Sequence, residues 1–131
     1  MDKNVKFLLG KLKNFSDFDR VKFIVHYGSQ ISGSANQDSD YDFAIYYEGD
    51  KNERFKFRLK LLSKLSDNFD IKIFQDLPLF VQKEILKGKI VYAKDLSFVY
   101  DIAYEIIKKF SHFKKIYYDY IKMEQISWWR L

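Results

Sequence analysis

Hydrophobic residues recur along this chain at two spacings, one typical of helices and the other of strands. Near the N-terminus, apolar residues three or four positions apart predict an amphipathic helix: Val5, Leu8, Leu9, Leu12 and Phe15. Further on, runs of β-branched and aromatic residues bounded by polar clusters predict strands at Val21–Tyr27, Asp40–Tyr47, Phe69–Phe74 and Ile90–Tyr92. Helices are predicted between them at about 51–65 and 77–87.

A long amphipathic helix is predicted from Ser97 onward, where apolar residues again step by three or four: Val99, Ile102, Ile106, Phe110, Phe113 and Tyr117. The predicted order is helix, strand, strand, helix, strand, helix, strand, helix. We therefore expect a single α+β domain over residues 1–131, with a small mixed sheet flanked by helices. Its core would span about 20–95, and its C-terminal helix about 97–127.

Composition narrows the chemistry. The chain of 131 residues contains no cysteine, which excludes disulfides, thiolate metal sites and thiol nucleophiles. Its net charge of +5 is modest. No run approaches the roughly 18 apolar residues of a membrane span, and the N-terminus lacks the pattern of a signal peptide. We expect a cytoplasmic protein that does not bind membranes.

Two aspartates at the start of the second predicted strand are the strongest chemical signal. Asp40 and Asp42 are two positions apart, so on a strand their carboxylates face the same side. Like charges held together favour a cation, and Mg²⁺ prefers carboxylate oxygens. Asp70 lies on the next strand and could join them as a third carboxylate. The sequence therefore predicts a metal site at Asp40, Asp42 and Asp70.

Gly28 and Ser29 directly follow the first predicted strand. Glycine allows a positive φ and a close backbone approach, while serine offers a hydroxyl and an N–H group. Both are suited to holding phosphate oxygens. A dipeptide of this kind beside a metal site is what nucleotidyl transfer requires, because the metal and the triphosphate must meet at one point.

The spacing of these residues resembles a known family. Gly28-Ser29, ten intervening residues and then Asp40-Tyr41-Asp42 form the signature of the DNA polymerase beta-like nucleotidyltransferases. The stretch from Gly28 to Phe43 is similar to the minimal nucleotidyltransferase (MNT) branch, and the likeness extends over about 22–95. One departure is that Ile31 and Ser32 stand where many members carry Ala and Arg.

The resemblance implies a role for each motif residue. Asp40, Asp42 and Asp70 would bind Mg²⁺, with Asp70 also helping to deprotonate the acceptor hydroxyl, and Gly28 and Ser29 would hold the triphosphate of ATP. In the MNT branch the protein is an antitoxin that moves AMP from ATP onto a tyrosine of a HEPN-type toxin. HEPN toxin and ATP are therefore the expected partners, and nucleic acid is not.

Two alternatives remain at this point. An antitoxin could neutralise its partner by binding alone, without catalysis. A nucleotidyltransferase could also modify a small molecule such as an aminoglycoside. The aromatic C-terminal segment, which includes Tyr117, Tyr118, Tyr120, Trp128 and Trp129, has two interpretations as well. It could pack on the sheet, or it could form a homo- or hetero-oligomer surface, where Tyr and Trp are enriched.

Overall fold

A four-stranded mixed sheet forms the centre of the molecule. The structure, a computed structural model, describes residues 2–28 and 41–129, with side chains as far as Lys122. Its strands are β1 (Val21–Tyr27), β2 (Tyr41–Tyr47), β3 (Phe69–Ile73) and β4 (Lys89–Ala93), in the spatial order β3-β2-β1-β4. Strand β1 pairs antiparallel with β2 and β4, and β2 pairs parallel with β3.

The helices of the described ranges cover both faces of this sheet. They are α1 (Lys3–Lys13), α2 (Lys51–Leu62), α3 (Leu79–Ile85) and α4 (Leu96–Trp129), with 3₁₀ turns at Phe18–Arg20 and Phe74–Asp76. Helices α1 and α2 pack on one face, α3 and the first part of α4 on the other. The predicted α+β class and element order are confirmed. None of these helices combines the length and apolarity needed to cross a bilayer.

Local chemistry explains where several helices begin. The Asp2 carboxylate accepts a hydrogen bond from the Asn4 N–H at 2.7 Å and caps α1. Asp50 and Glu53 form a reciprocal capping box at the start of α2. Several predicted boundaries were wrong. Helix α2 ends at Leu62 instead of residue 65, α3 spans Leu79–Ile85 instead of 77–87 with Pro78 as its N-cap, and β3 ends at Ile73 instead of Phe74.

Strand β1 is the most buried strand, because it lies between β2 and β4 and under helices on both faces. Phe23 and Val25 contact the α3–α4 layer, while Val21 and Ile24 contact the α1–α2 layer. A central strand covered on both sides requires a nearly continuous apolar run, which is the pattern of this segment. The exception is His26, which is only 3% exposed.

The His26 ring stacks on Phe43 with centroids 4.6 Å apart and planes 18° from parallel. Its Nε2 has no hydrogen-bond partner among the described residues. Burial lowers the pKa of His26, and the positive charge of Lys89 lowers it further, while the carboxylate of Asp2 acts in the opposite direction. The neutral imidazole therefore acts here as a flat aromatic side chain of the core.

The buried histidine predicts a pH-dependent stability. Because the folded pKa of His26 lies below its unfolded value of about 6.5, the unfolded state binds the extra proton, and stability should fall as pH drops below about 6.5. His26→Phe should remove this slope, so the variant should lose less stability than wild type as the pH falls from 8 to 5. Urea unfolding between pH 8 and 5 measures it. His112→Phe, which replaces an exposed histidine of α4, should keep the wild-type slope; equal slopes in both variants would contradict this assignment.

Candidate active site

Asp42 and Asp70 lie side by side on neighbouring strands. Each is the second residue of its strand, and their Cα atoms are direct partners in the parallel pairing of β2 and β3. Side chains two apart on a strand share a face, so Asp42 shares its face with Ala44, which packs under α3 and α4. The two carboxylates are therefore next to one another on the α3–α4 face, at the end of the sheet where β1 finishes.

Gly28 directly follows the last residue of β1 and lies against Asp42. Its φ of +87° is a conformation that residues with a side chain rarely adopt. A Cβ atom built at this position would overlap Oδ2 of Asp42 and lie 3.0 Å from its Cγ. Strand pairing explains the contact, since Tyr27 is the Cα partner of Asp42 across the antiparallel β1–β2 ladder. Glycine is thus the residue that lets the backbone touch this carboxylate.

Ser29 and Asp40, the other two predicted site residues, lie outside the described residues, which resume at Tyr41. Of the five predicted residues, the structure therefore places Gly28, Asp42 and Asp70, and it brings these three together. No group of three or more His, Asp or Glu side chains suited to a metal occurs within the described ranges.

The two described carboxylates nevertheless fit Mg²⁺. They supply hard oxygen donors from adjacent strands, and Mg²⁺ is commonly bound through one or two carboxylates while keeping several waters. Their juxtaposition also concentrates negative charge, which a divalent cation would neutralise. The donor set of Asp42 and Asp70 is therefore suited to this metal.

Two neighbouring side chains respond to this negative charge. Burial, followed by the charges of Asp42 and Asp70, raises the pKa of Tyr27 to about 12, so its phenol stays protonated at neutral pH. Lys72 Nζ lies 3.6 Å from Oδ2 of Asp70, and both side chains are partly exposed. Lys72 thus balances part of the charge. The position of Lys72 beside Asp70 follows from the alternation of side chains along the strand. The position of Tyr27 was not predicted, because only the pairing of β1 with β2 shows that Tyr27 adjoins Asp42.

A cleft of about 540 Å³ opens beside Gly28. Its walls come from the end of β1 and from α3 with the turn after it, and it is lined by Tyr27, Gly28, Val81, Glu84, Ile85, Lys87 and Gly88. This volume is in the range of small-molecule sites, about 300–1,000 Å³. Gly88 permits the close packing of this wall, because a Cβ there would lie 2.6 Å from the backbone oxygen of His26. The cleft therefore reaches Gly28, which lies against Asp42, while Asp42 and Asp70 themselves are not among the residues that line it.

Comparison with known proteins identifies the family of this chain. The family model described as polymerase beta nucleotidyltransferase matches residues 11–97. The chain belongs to this family. The match includes the whole stretch on which the sequence resemblance rested, so that prediction is confirmed at the level of the family. Gly28 of the Gly-Ser motif and Asp42 of the Asp-x-Asp motif meet at this point of the sheet.

One relative is close enough to align over most of its length. It is a protein of Methanocaldococcus jannaschii named as a putative protein adenylyltransferase, 33% identical over 101 residues, which are 76% of this chain and 72% of the relative. The name of that relative assigns it adenylyl transfer to a protein acceptor.

Two solved structures share the fold. One is the crystal structure of a toxin-antitoxin with AMP-PNP, with a TM-score of 0.63 at 20% identity over 83% of this chain and 89% of that chain. The other is a tri-AMPylated Shewanella oneidensis HEPN toxin in complex with its MNT antitoxin, with a TM-score of 0.60 at 18% identity over 87% and 90% of the two chains. At these identities the likeness establishes the fold, including the long C-terminal helix of an α+β nucleotidyltransferase.

Proposed function

We propose that this chain is a Mg²⁺-dependent protein adenylyltransferase that acts as an antitoxin and transfers AMP from ATP to a tyrosine of a HEPN-type toxin. The observation that carries this proposal is the contact of Gly28 with Asp42, next to Asp70 on the adjoining strand. A left-handed glycine against a carboxylate pair brings a phosphate-binding turn and a metal site to one point. Family membership and the name of the archaeal relative support the same reaction class.

Each residue has a defined task in this proposal. Gly28 and Ser29 hold the triphosphate through the backbone and the serine hydroxyl, and the adjoining cleft receives the nucleotide. Asp40, Asp42 and Asp70 would hold the metal ion, which when bound supplies positive charge to the phosphate oxygens and the acceptor oxygen. The positive charge of Lys72 offsets part of the negative charge of Asp70, which lies beside Asp42.

The transfer itself is a displacement at phosphorus. The tyrosine hydroxyl oxygen of the acceptor forms a bond to the α-phosphorus of ATP, and the bond from that phosphorus to the bridging oxygen of the β-phosphate breaks. Pyrophosphate leaves with that oxygen. The proton of the acceptor hydroxyl passes to the carboxylate of Asp70, which is aligned with Asp42 by the parallel pairing of β2 and β3.

The test is incubation of the purified chain with α-³²P-ATP, Mg²⁺ and a HEPN-type protein from the same genome. Label is expected on a tyrosine of the HEPN protein, and it should disappear when Mg²⁺ is chelated. A parallel reaction offers a panel of aminoglycosides without protein. Turnover in that reaction alone, with no label on the HEPN protein, would replace the protein acceptor with a small molecule.

A second candidate function is neutralisation of the toxin by binding alone. It is favoured by the exposed large hydrophobic side chains of α4, which offer an apolar contact surface. An Asp40→Ala/Asp42→Ala variant separates the two functions in cells that express the toxin. Loss of protection with normal antitoxin levels would support catalysis, whereas full protection would show that binding is sufficient.

A further inference from the structure

Helix α4 extends far beyond the layer that it helps to form. Its 34 residues correspond to a length of about 51 Å. Val99 and Ile106 are buried in the α3–α4 layer, and Phe110 is the last of this series to contact the body, under Lys83 and beside Phe80. From residue 111 to 120 every side chain is exposed.

The apolar stripe of α4 does not stop where its contact with the body stops. Ile102, Ile106 and Phe110 are followed at the same helical spacing by Phe113 and Tyr117. The side chains of Phe113, Ile116 and Tyr117 are 56%, 55% and 52% exposed, and we call these three the distal stripe. A stripe that is core at one end of a helix and exposed at the other indicates that a second surface covers the exposed end.

The charge of residues 107–122 in α4 limits which partner surface can cover the distal stripe. Residues 107–122 contain one acidic side chain, Asp119, and five basic ones: Lys108, Lys109, Lys114, Lys115 and Lys122. Two copies of the chain joined through this segment would bring the same positive charge together. These lysines would instead attract an acidic partner surface. Such attraction raises the association rate and favours acidic partners over others.

The area of the distal stripe is also informative. Aromatic side chains bury about 150–250 Å² each when fully covered, so three half-exposed large side chains offer roughly 300 Å². A stable protein–protein interface buries about 800 Å² on each partner. The distal stripe is therefore too small to hold a complex alone, and its partner must contact the chain at a second place as well.

We infer that the distal stripe is a docking site for the protein acceptor, which covers it with an apolar patch flanked by acidic side chains while its tyrosine reaches the carboxylate pair. For the identity of the acceptor this inference rests on the proposed function. Docking at two places supplies the missing area. It also holds the modified hydroxyl near the active site, so that docking acts on acceptor affinity and not on the chemical step.

The test uses a variant pair on the same helix. Phe113→Ser/Tyr117→Ser removes the two aromatic side chains of the distal stripe. Tyr100→Ser/Tyr104→Ser is the matched control, because these tyrosines are 62% and 65% exposed on a different side of α4. The stripe variant should bind a HEPN-type protein from the same genome at least about tenfold more weakly than wild type by calorimetry. Its KM for that acceptor should rise by the same factor, with kcat and ATP affinity unchanged, and the control should match wild type. Added salt should weaken wild-type binding.

Each other result has a definite meaning. Equal binding by both variants, or no binding of the HEPN protein by wild type, overturns the docking site. The docking site is also overturned if wild type forms a dimer that the stripe variant abolishes. It is overturned as well if Phe113 and Tyr117 mediate salt-sensitive binding of a single-stranded RNA. If the stripe variant loses binding but wild type transfers no label, the docking site stands and the proposed activity fails. Circular dichroism confirms that both variants keep the helix.

Discussion

Asp42→Asn should reduce AMP transfer by at least about a thousandfold, equivalent to about 4 kcal/mol of transition-state stabilisation. The amide keeps the size and shape of the carboxylate but loses its charge, and Asp42 is the residue that adjoins both Gly28 and Asp70. The same variant should lose the rise in melting temperature that Mg²⁺ with a non-hydrolysable ATP analogue gives the wild-type chain, because that rise reports binding to the folded state.

Folding should be nearly unaffected by this change. Two carboxylates on paired strands repel one another, and neutralising one of them removes that repulsion, so the free energy of unfolding without metal should change by less than about 1 kcal/mol. Asp67→Asn is the matched control, since Asp67 is an exposed carboxylate just before β3. It should keep full activity. If Asp42→Asn keeps activity within tenfold of Asp67→Asn, the carboxylate pair is not the metal site.

The sequence was sufficient to predict the elements that build this sheet, because burial imposes a period on each of them. Strand β1 occupies the predicted residues 21–27, and its unbroken apolar run reflects a strand covered on both faces. Helix ends were predicted less well. The end of α2 and the start of α3 depend on local capping and on the 3₁₀ turn at Phe74–Asp76, which apolar spacing does not reveal.

The candidate site was predictable in composition but not in geometry. Alternation along β3 places Asp70 and Lys72 on one face, and a motif identifies Asp42. That Asp42 and Asp70 are Cα partners depends on the parallel pairing of β2 with β3 across helix α2, which no local pattern specifies. Tyr27 was missed for the same reason, since its place beside Asp42 arises from the register of β1 and β2.

Gly28→Ala is expected to have the second large effect, because it would alter both the backbone conformation at residue 28 and the position of the Asp42 carboxylate. A non-glycine residue at a φ of +87° is strained by about 1–2 kcal/mol. In addition, its Cβ would displace the Asp42 carboxylate from the position it holds beside Asp70. We expect activity to fall about a hundredfold or more, since a shift of about 1 Å in a reacting group can cost that much.

A double-mutant cycle separates the two causes, with unfolding free energies measured by urea for Gly28→Ala, Asp42→Ala and the double variant. If the overlap with the carboxylate dominates, Gly28→Ala should destabilise the Asp42→Ala background much less than it destabilises the wild type. If the positive φ dominates, the two costs should be equal. A Gly28→Ala variant that keeps wild-type activity would contradict the displacement of the Asp42 carboxylate as a cause of lost AMP transfer.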